Sequence, residues 1–204
     1  MGSVVALETL LDERRVWRGQ ALAEPAGVQP TGHAVLDQAL PAGGWPEAAL
    51  SEILLPAEGV GELQLLWPTL ARLTQARERI VLVAPPHIPF PWAWQVAGID
   101  LRWMNIIRCS AREALWATEQ CLRSGSCGAV VCWPERADDR SLRRLQVAAE
   151  TGQTLAFAYR PVGEAVNASP AALRLVFDGP GQVRVLKCRG GLAPARSISL
   201  VAGR

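Results

Sequence analysis

The stretch LLPAEGVGELQLL, residues 54–66, decides how the rest of the chain is read. A strand-like apolar run enters a turn containing Pro56, Gly59 and Gly61. The turn opens into a helical stripe of Leu63, Leu66, Leu70 and Leu73. Strand, glycine turn and helix in that order make the local architecture of a phosphate-binding loop. A working loop reads G-x-x-x-x-G-K-[ST]: backbone N–H groups wrap the phosphates, the lysine meets the β and γ oxygens, and the hydroxyl binds magnesium. Aligned on Gly61, this chain is read with Leu55 at the first glycine, Glu62 for the lysine and Leu63 for the hydroxyl, while Gly59 and Gly61 keep the turn. An anion in place of the cation removes an attraction and adds a repulsion, each worth roughly 4 kcal/mol at about 4 Å and an effective dielectric of about 20. The loop is therefore expected to bind no ATP in the ordinary way. No catalytic residue, cofactor or metal is assigned.

Outward from the loop, the pattern alternates between strands and helices. HAVLDQAL reads as a short helix and LSEILL as a buried strand, and RIVLVA (79–84) is a β-branched run of the kind buried on both faces. Four prolines in residues 85–91 exclude regular structure there. NIIRC and GAVVCW read as strands. Ser110 and Glu113 form a capping box before a helix closed by Gly125, and Asp138/Asp139 open another that ends at Gly152. TLAFAYR is a further strand. ALRLVF, QVRVLKC and SISLV then alternate about glycine-rich turns, which predicts an antiparallel tail. The expected fold is α/β: a mostly parallel sheet flanked by helices, with antiparallel C-terminal strands. Residues 1–30 read as an amphipathic helix plus a Gly/Pro/Ala linker, and residues 31–204 as one domain.

Composition is that of an ordinary globular protein, half hydrophobic and one-fifth charged, with no apolar run long enough for a membrane span. Five cysteines without a CxxC pair argue against a disulfide framework or a zinc site, and Cys109 and Cys132 are expected as small buried hydrophobes. His33 and His87, the only histidines, are expected in turns or on the surface. The N-terminus lacks the basic start of a signal peptide, so a cytoplasmic protein is expected.

Candidate binding residues fall into three groups. Leu7, Leu10 and Leu11, with Arg14 beside them, form a helical face that would dock a partner or pack on the chain's own core. Trp92 and Trp94 follow the proline run and are candidate anchors of a protein interface, whereas Trp67, Trp103 and Trp116 are expected in the core. Arg136, Arg140, Arg143 and Arg144, and the strand residues Arg184, Lys187 and Arg189, are candidates for DNA phosphates or an acidic partner. Neutralisation by Glu135, Asp138 and Asp139 is the competing reading of the helical set.

The segment PTGHAVLDQALPAGGWPEAALSEILLPAEGVGELQLL resembles the opening of the RecA/RadA ATPase core. Against that pattern, Ala84, Pro85 and Pro86 stand where the catalytic glutamate belongs, and Cys132 and Trp133 where the magnesium-binding aspartate belongs. PVGEAVNASP is short for a DNA-binding loop. The resemblance thus implies a RecA-like fold without its ATPase. Over the whole chain, Val16-Trp17-Arg18-Gly19, the TGH..LD.ALP.GGWP turn and GE..LL..P.LA.L are similar to the ImuA family. That resemblance implies an adaptor of damage-induced translesion synthesis, nucleoid-associated when damage is present. Its partners would be ImuB, a Y-family polymerase relative, and an error-prone DnaE-type polymerase, with RecA and DNA open as further contacts. Residues 64–161 also resemble the SulA family through Trp92…Gly-Ile-Asp, Ser-Ala-Arg-Glu-Ala-Leu and RRLQVAAETGQTLAFAYRP. This implies the alternative, an SOS division inhibitor that binds FtsZ.

Overall fold

The computed structural model describes residues 29–134 and 136–200. Leu7, Leu10, Leu11, Arg14 and Glu135 lie outside the described residues. The elements in chain order are α1 (Ala34–Ala39), β1 (Leu50–Leu55), α2 (Glu62–Gln75), β2 (Ile80–Val83), α3 (Pro91–Val96), β3 (Met104–Ile107) and α4 (Ala111–Arg123). They continue with β4 (Ala129–Cys132), α5 (Asp139–Gly152), β5 (Leu155–Pro161), β6 (Leu173–Gly179), β7 (Gln182–Cys188) and β8 (Ile198–Ser199). Short 3-10 turns occupy Leu101–Trp103 and Val162–Val166.

All eight strands join one sheet in the order β3-β2-β4-β5-β1-β6-β7-β8. The first six are mutually parallel, and β7 runs antiparallel to both β6 and β8. The expected antiparallel C-terminal strands are present, and the first of them also joins the parallel sheet. ALRLVF becomes β6, which lies parallel against β1 in the middle of the sheet (Ser51↔Leu173, Ile53↔Leu175) before the chain turns back at β7. Alternation along one strand reports two different faces, not the direction of its neighbours.

Helices cover both sides because the central strands are apolar on both. On one face α1 and α2 place Leu36, Leu65, Leu66 and Leu70 over Ile53, Leu82, Phe157 and Leu175. On the other, α4 and α5 bring Ala114, Ala117, Ala148 and Ala149 against Val130, Ala156 and Ala158. Small residues on both partners let these helices sit close. A Cβ on Gly152 would fall 1.8 Å from Leu122 O, so the end of α5 passes directly over the end of α4.

The TGH…GGWP turn fastens α1 to α2. Trp45 is buried, donates Nε1–H to Thr69 Oγ1 at 2.8 Å, and meets Phe157 edge-to-face at 5.0 Å. Thr69 in turn donates to Thr31 O at 3.2 Å, and Asp37 Oδ1 accepts the Thr31 N–H at 2.8 Å. Gly32 has φ +85°, and a Cβ there would meet Pro68 Cβ at 2.2 Å, so only glycine passes this proline inside α2. The proline run is irregular through Phe90, but Pro91 takes the first turn of α3, where its missing N–H costs nothing.

Candidate functional site

The loop after β1 keeps its turn and closes on itself. Gly59 and Gly61 have φ of 78° and 85°, the left-handed conformation that lets the chain enter α2. Counted back five residues from Gly61, the first-glycine position falls on Pro56, not Leu55. Leu55 is the last residue of β1 and is buried, and Pro56 has no N–H to offer a phosphate. Glu62 Oε1 accepts the Gly59 N–H at 3.3 Å, so its carboxylate takes up an amide that a bound phosphate would need. Leu63 packs half-buried against the core.

Three residues at neighbouring strand ends complete this site. Tyr159, at the end of β5, donates its hydroxyl to Glu62 O at 2.8 Å. Burial first, and the nearby Glu62 charge second, raise the Tyr159 phenol well above its ordinary value, so it stays a neutral donor. Trp133 stacks on Tyr159 with ring centroids 5.4 Å apart, and Ala84 follows β2 at φ 48°. A cleft of about 280 Å³ lies among Pro56, Glu58, Ala84, Trp133 and Tyr159. Beside it a second hollow of about 280 Å³ is bounded by Pro86, Ile88, Ile106, Arg108 and Trp133. Glu58 and His87 meet across the two loops at 2.8 Å. Cys132, at the position of the expected magnesium ligand, is buried, and burial pushes its thiol up to about 12, well away from a thiolate ligand. These walls are aromatic rings, prolines and one exposed ion pair: material for recognition.

A buried ion cluster supports the rim from below. Glu52, fully buried in β1, accepts from Arg160 Nη1 and from Arg174 Nε, both at 2.5 Å. Arg160 Nη2 also donates to Ala137 O at 2.6 Å and to Glu164 Oε2 at 2.8 Å. Arg174 reaches the carbonyls of Glu164 and Asn167 at 2.9 and 3.1 Å. The cluster thereby holds the segments after β4 and β5, including the short loop PVGEAVNASP. It was not singled out from the sequence. The available signal is one charge inside each of three largely apolar runs: Glu52 in LSEILL, Arg160 in LAFAYR and Arg174 in LRLVF.

The candidate binding residues do not behave as sets. Trp92 and Trp94 sit two apart on a helix and point oppositely: Trp92 is 67% exposed and Trp94 only 2%. Trp94 is therefore a core residue and not an interface anchor. Trp116, expected in the core, is exposed on α4, while Trp67 and Trp103 are half-buried. Near Trp92 in the chain, the side chains of Ile88, Phe90 and Val96 are also exposed, and Ile88, Phe90 and Trp92 share the proline-rich sequence IPFPW.

The arginines of α5 are divided. Arg144 pairs with Glu119 of α4, and Arg143 with Asp139 at 3.2 Å, so the proposed row is largely neutralised. Arg140 lies close enough to Asp138 to help depress that carboxyl, whose main cause is the hydrogen bond from Ser141. Arg136 is exposed. On β7 the register skips Leu186 (Arg174↔Lys187, Leu175↔Val185), and this bulge resets strand parity. Val183, Val185 and Cys188 consequently pack on the α2 side, leaving Arg184, Lys187 and Arg189 together on the other face. There Arg184 pairs with Asp178 at 2.9 Å, Lys187 donates to Ser169 O at 2.8 Å and Arg189 approaches Glu150 at 3.6 Å.

Comparison with known proteins places the central part of this architecture. The crystal structure of SulA from Pseudomonas aeruginosa is 29% identical, with a TM-score of 0.47, and the match covers 56% of this chain and 98% of that one. No curated protein matches the chain. The family described as cell division inhibitor SulA matches residues 48–156, from the residues just before β1 into β5. That span is more than half of the sequence, and the chain belongs to the SulA family.

Proposed function

We propose that this protein acts by recognition and not by turnover, as a partner-binding member of the SOS response. One observation carries this reading. The loop that would hold a nucleotide is occupied by its own Glu62, while the next loop over exposes Ile88, Phe90 and Trp92 to solvent. Large exposed apolar side chains grouped on one surface are the usual sign of a protein interface. Family membership supports inhibition of cell division through the GTPase FtsZ, and supports it more directly than the adaptor role.

A second reading rests on a different observation. The segments outside 48–156 are built into the same fold: Trp45 enters the core, and β6 pairs along β1. These segments carry the TGH…GGWP resemblance to ImuA. They support a non-catalytic RecA-like adaptor that binds ImuB and an error-prone DnaE-type polymerase, with RecA and DNA as further contacts. Cytoplasmic placement belongs to both readings. No helix among the described residues is long and apolar enough to cross a membrane.

Immobilised full-length chain tested against purified FtsZ and ImuB separates the two. Retention of FtsZ with loss of its GTP-dependent assembly supports the division inhibitor. Retention of ImuB alone supports the adaptor. Magnesium-dependent ATP hydrolysis by the chain would overturn both.

A further inference from the structure

A further cavity lies at the other pole of the sheet, where the strands begin. It measures about 460 Å³, and its wall includes Glu47, Arg77, Glu78, Arg79, Trp103 and Gln153. A hollow of about 300 Å³ beside it, here taken as its mouth, shares Arg77, Arg79 and Trp103 and adds Arg102. Arg102 is held by the Asp100 carboxylate, with Nε donating to Oδ1 at 3.0 Å and Nη2 to Oδ2 at 2.7 Å. Arg77 and Arg79 are exposed and make no ion pair among the described residues.

The backbone around this cavity is unusual. Four non-glycine residues among those described have positive φ, and three of them, Ala48 (48°), Arg77 (61°) and Gln153 (51°), line its wall. Arg77 follows α2 at the position where helices commonly end in glycine: its N–H bonds Thr74 O at 3.0 Å, and the next N–H bonds Leu73 O at 2.9 Å. An arginine kept in a conformation that glycine adopts freely points to a task for its side chain.

We propose that this pole binds a nucleoside phosphate. Arg77 and Arg79 at the mouth would take the phosphate as charge-assisted donors. Trp103, which borders both mouth and cavity, would offer its face to the base. Glu47, half-buried in the cavity wall, would accept a hydrogen bond from an N–H of the base edge. The same chemistry is presented by a free nucleotide and by one residue of a single strand. This site is separate from the degenerate loop and does not depend on which protein partner the chain takes.

Fluorescence anisotropy of the full chain with a labelled single-stranded DNA of about 20 nucleotides, and calorimetry with dTMP, test this. Arg77→Gly is the informative variant, because glycine suits the left-handed backbone and the fold keeps or gains melting temperature. It is expected to weaken binding roughly tenfold and to lower the salt slope by about one, and Arg79→Gln should do the same. Loss on both probes assigns a free nucleotide as a sufficient ligand, and loss on the DNA alone assigns a strand. If the wild-type chain binds neither probe, or if both variants bind as tightly as wild type, the proposal is wrong.

Discussion

Tyr159 donates its hydroxyl to Glu62 O at 2.8 Å, tying the end of β5 to the first residue of α2. The bond falls on the residue that stands where the lysine of a phosphate-binding loop would be. Glu62 is therefore engaged twice, its carbonyl by Tyr159 and its carboxylate by the Gly59 amide. Both contacts stabilise the loop without a ligand.

No magnesium-dependent ATP binding is expected at nucleotide concentrations up to about 1 mM. Glu62→Lys alone should not create it, because Pro56 lacks an amide hydrogen and Leu63 lacks a hydroxyl. Equilibrium dialysis with a labelled analogue measures this directly. Micromolar affinity in the wild-type chain would contradict the self-closed loop.

Glu52→Gln should destabilise the protein by about 3–5 kcal/mol, because two buried guanidinium groups lose their shared counter-charge. Urea denaturation gives the number. The segments after β4 and β5 should also become more protease-sensitive, as Arg160 and Arg174 hold them through Ala137, Glu164 and Asn167. A loss below about 1 kcal/mol would show that the cluster does not hold the rim.

The two tryptophans of α3 should separate binding from stability. Trp94→Ala removes a buried side chain and is expected to cost about 3–5 kcal/mol. Trp92→Ala should leave the unfolding midpoint within about 0.5 kcal/mol of wild type and weaken partner capture at least tenfold. Unchanged capture by the folded Trp92→Ala protein would remove the proline loop from the interface.

Acid should loosen the C-terminal strands through Asp178. Hydrogen bonds from Arg184 and Ser197, in that order, hold its carboxyl below the ordinary 3.8. A depressed folded pKa means that the stabilisation is fully present above the unfolded value and is lost as pH falls through the folded one. The loss should therefore begin only below about pH 4. Amide exchange in β7 followed from pH 5 downward should show it, and Asp178→Asn should abolish the pH dependence while lowering protection at pH 5.

The apolar pattern marks which segments are strands and helices, because β2, β4 and most of β5 bury both faces and so carry near-continuous apolar runs. The Ser110–Glu113 capping box is also present as the sequence suggested. Three features needed the tertiary structure. The direction of β6 depends on β1, which is distant in the chain. The face carried by Lys187 depends on a bulge at Leu186 that leaves no mark in composition. The burial of Trp94 depends on which side of α3 meets the core, and a six-residue helix is too short to reveal this by pattern. Within the site, the Glu62 substitution was readable because it breaks a motif. The pairing of Glu52 with two arginines joins three strands that no motif connects.

The strand order has a consequence for how the protein is made. β1 is synthesised early, yet its partners β5 and β6 come about a hundred residues later, as in the pairing of Leu50 with Ala156. During translation, the strand at the centre of the finished sheet has neither neighbour. Its six-residue apolar edge is a template for other chains until the ribosome has delivered most of the sequence. Stalling or cleavage before β5 would then leave an aggregation-prone fragment instead of a smaller working domain. The output of this gene is thereby biased towards all or nothing.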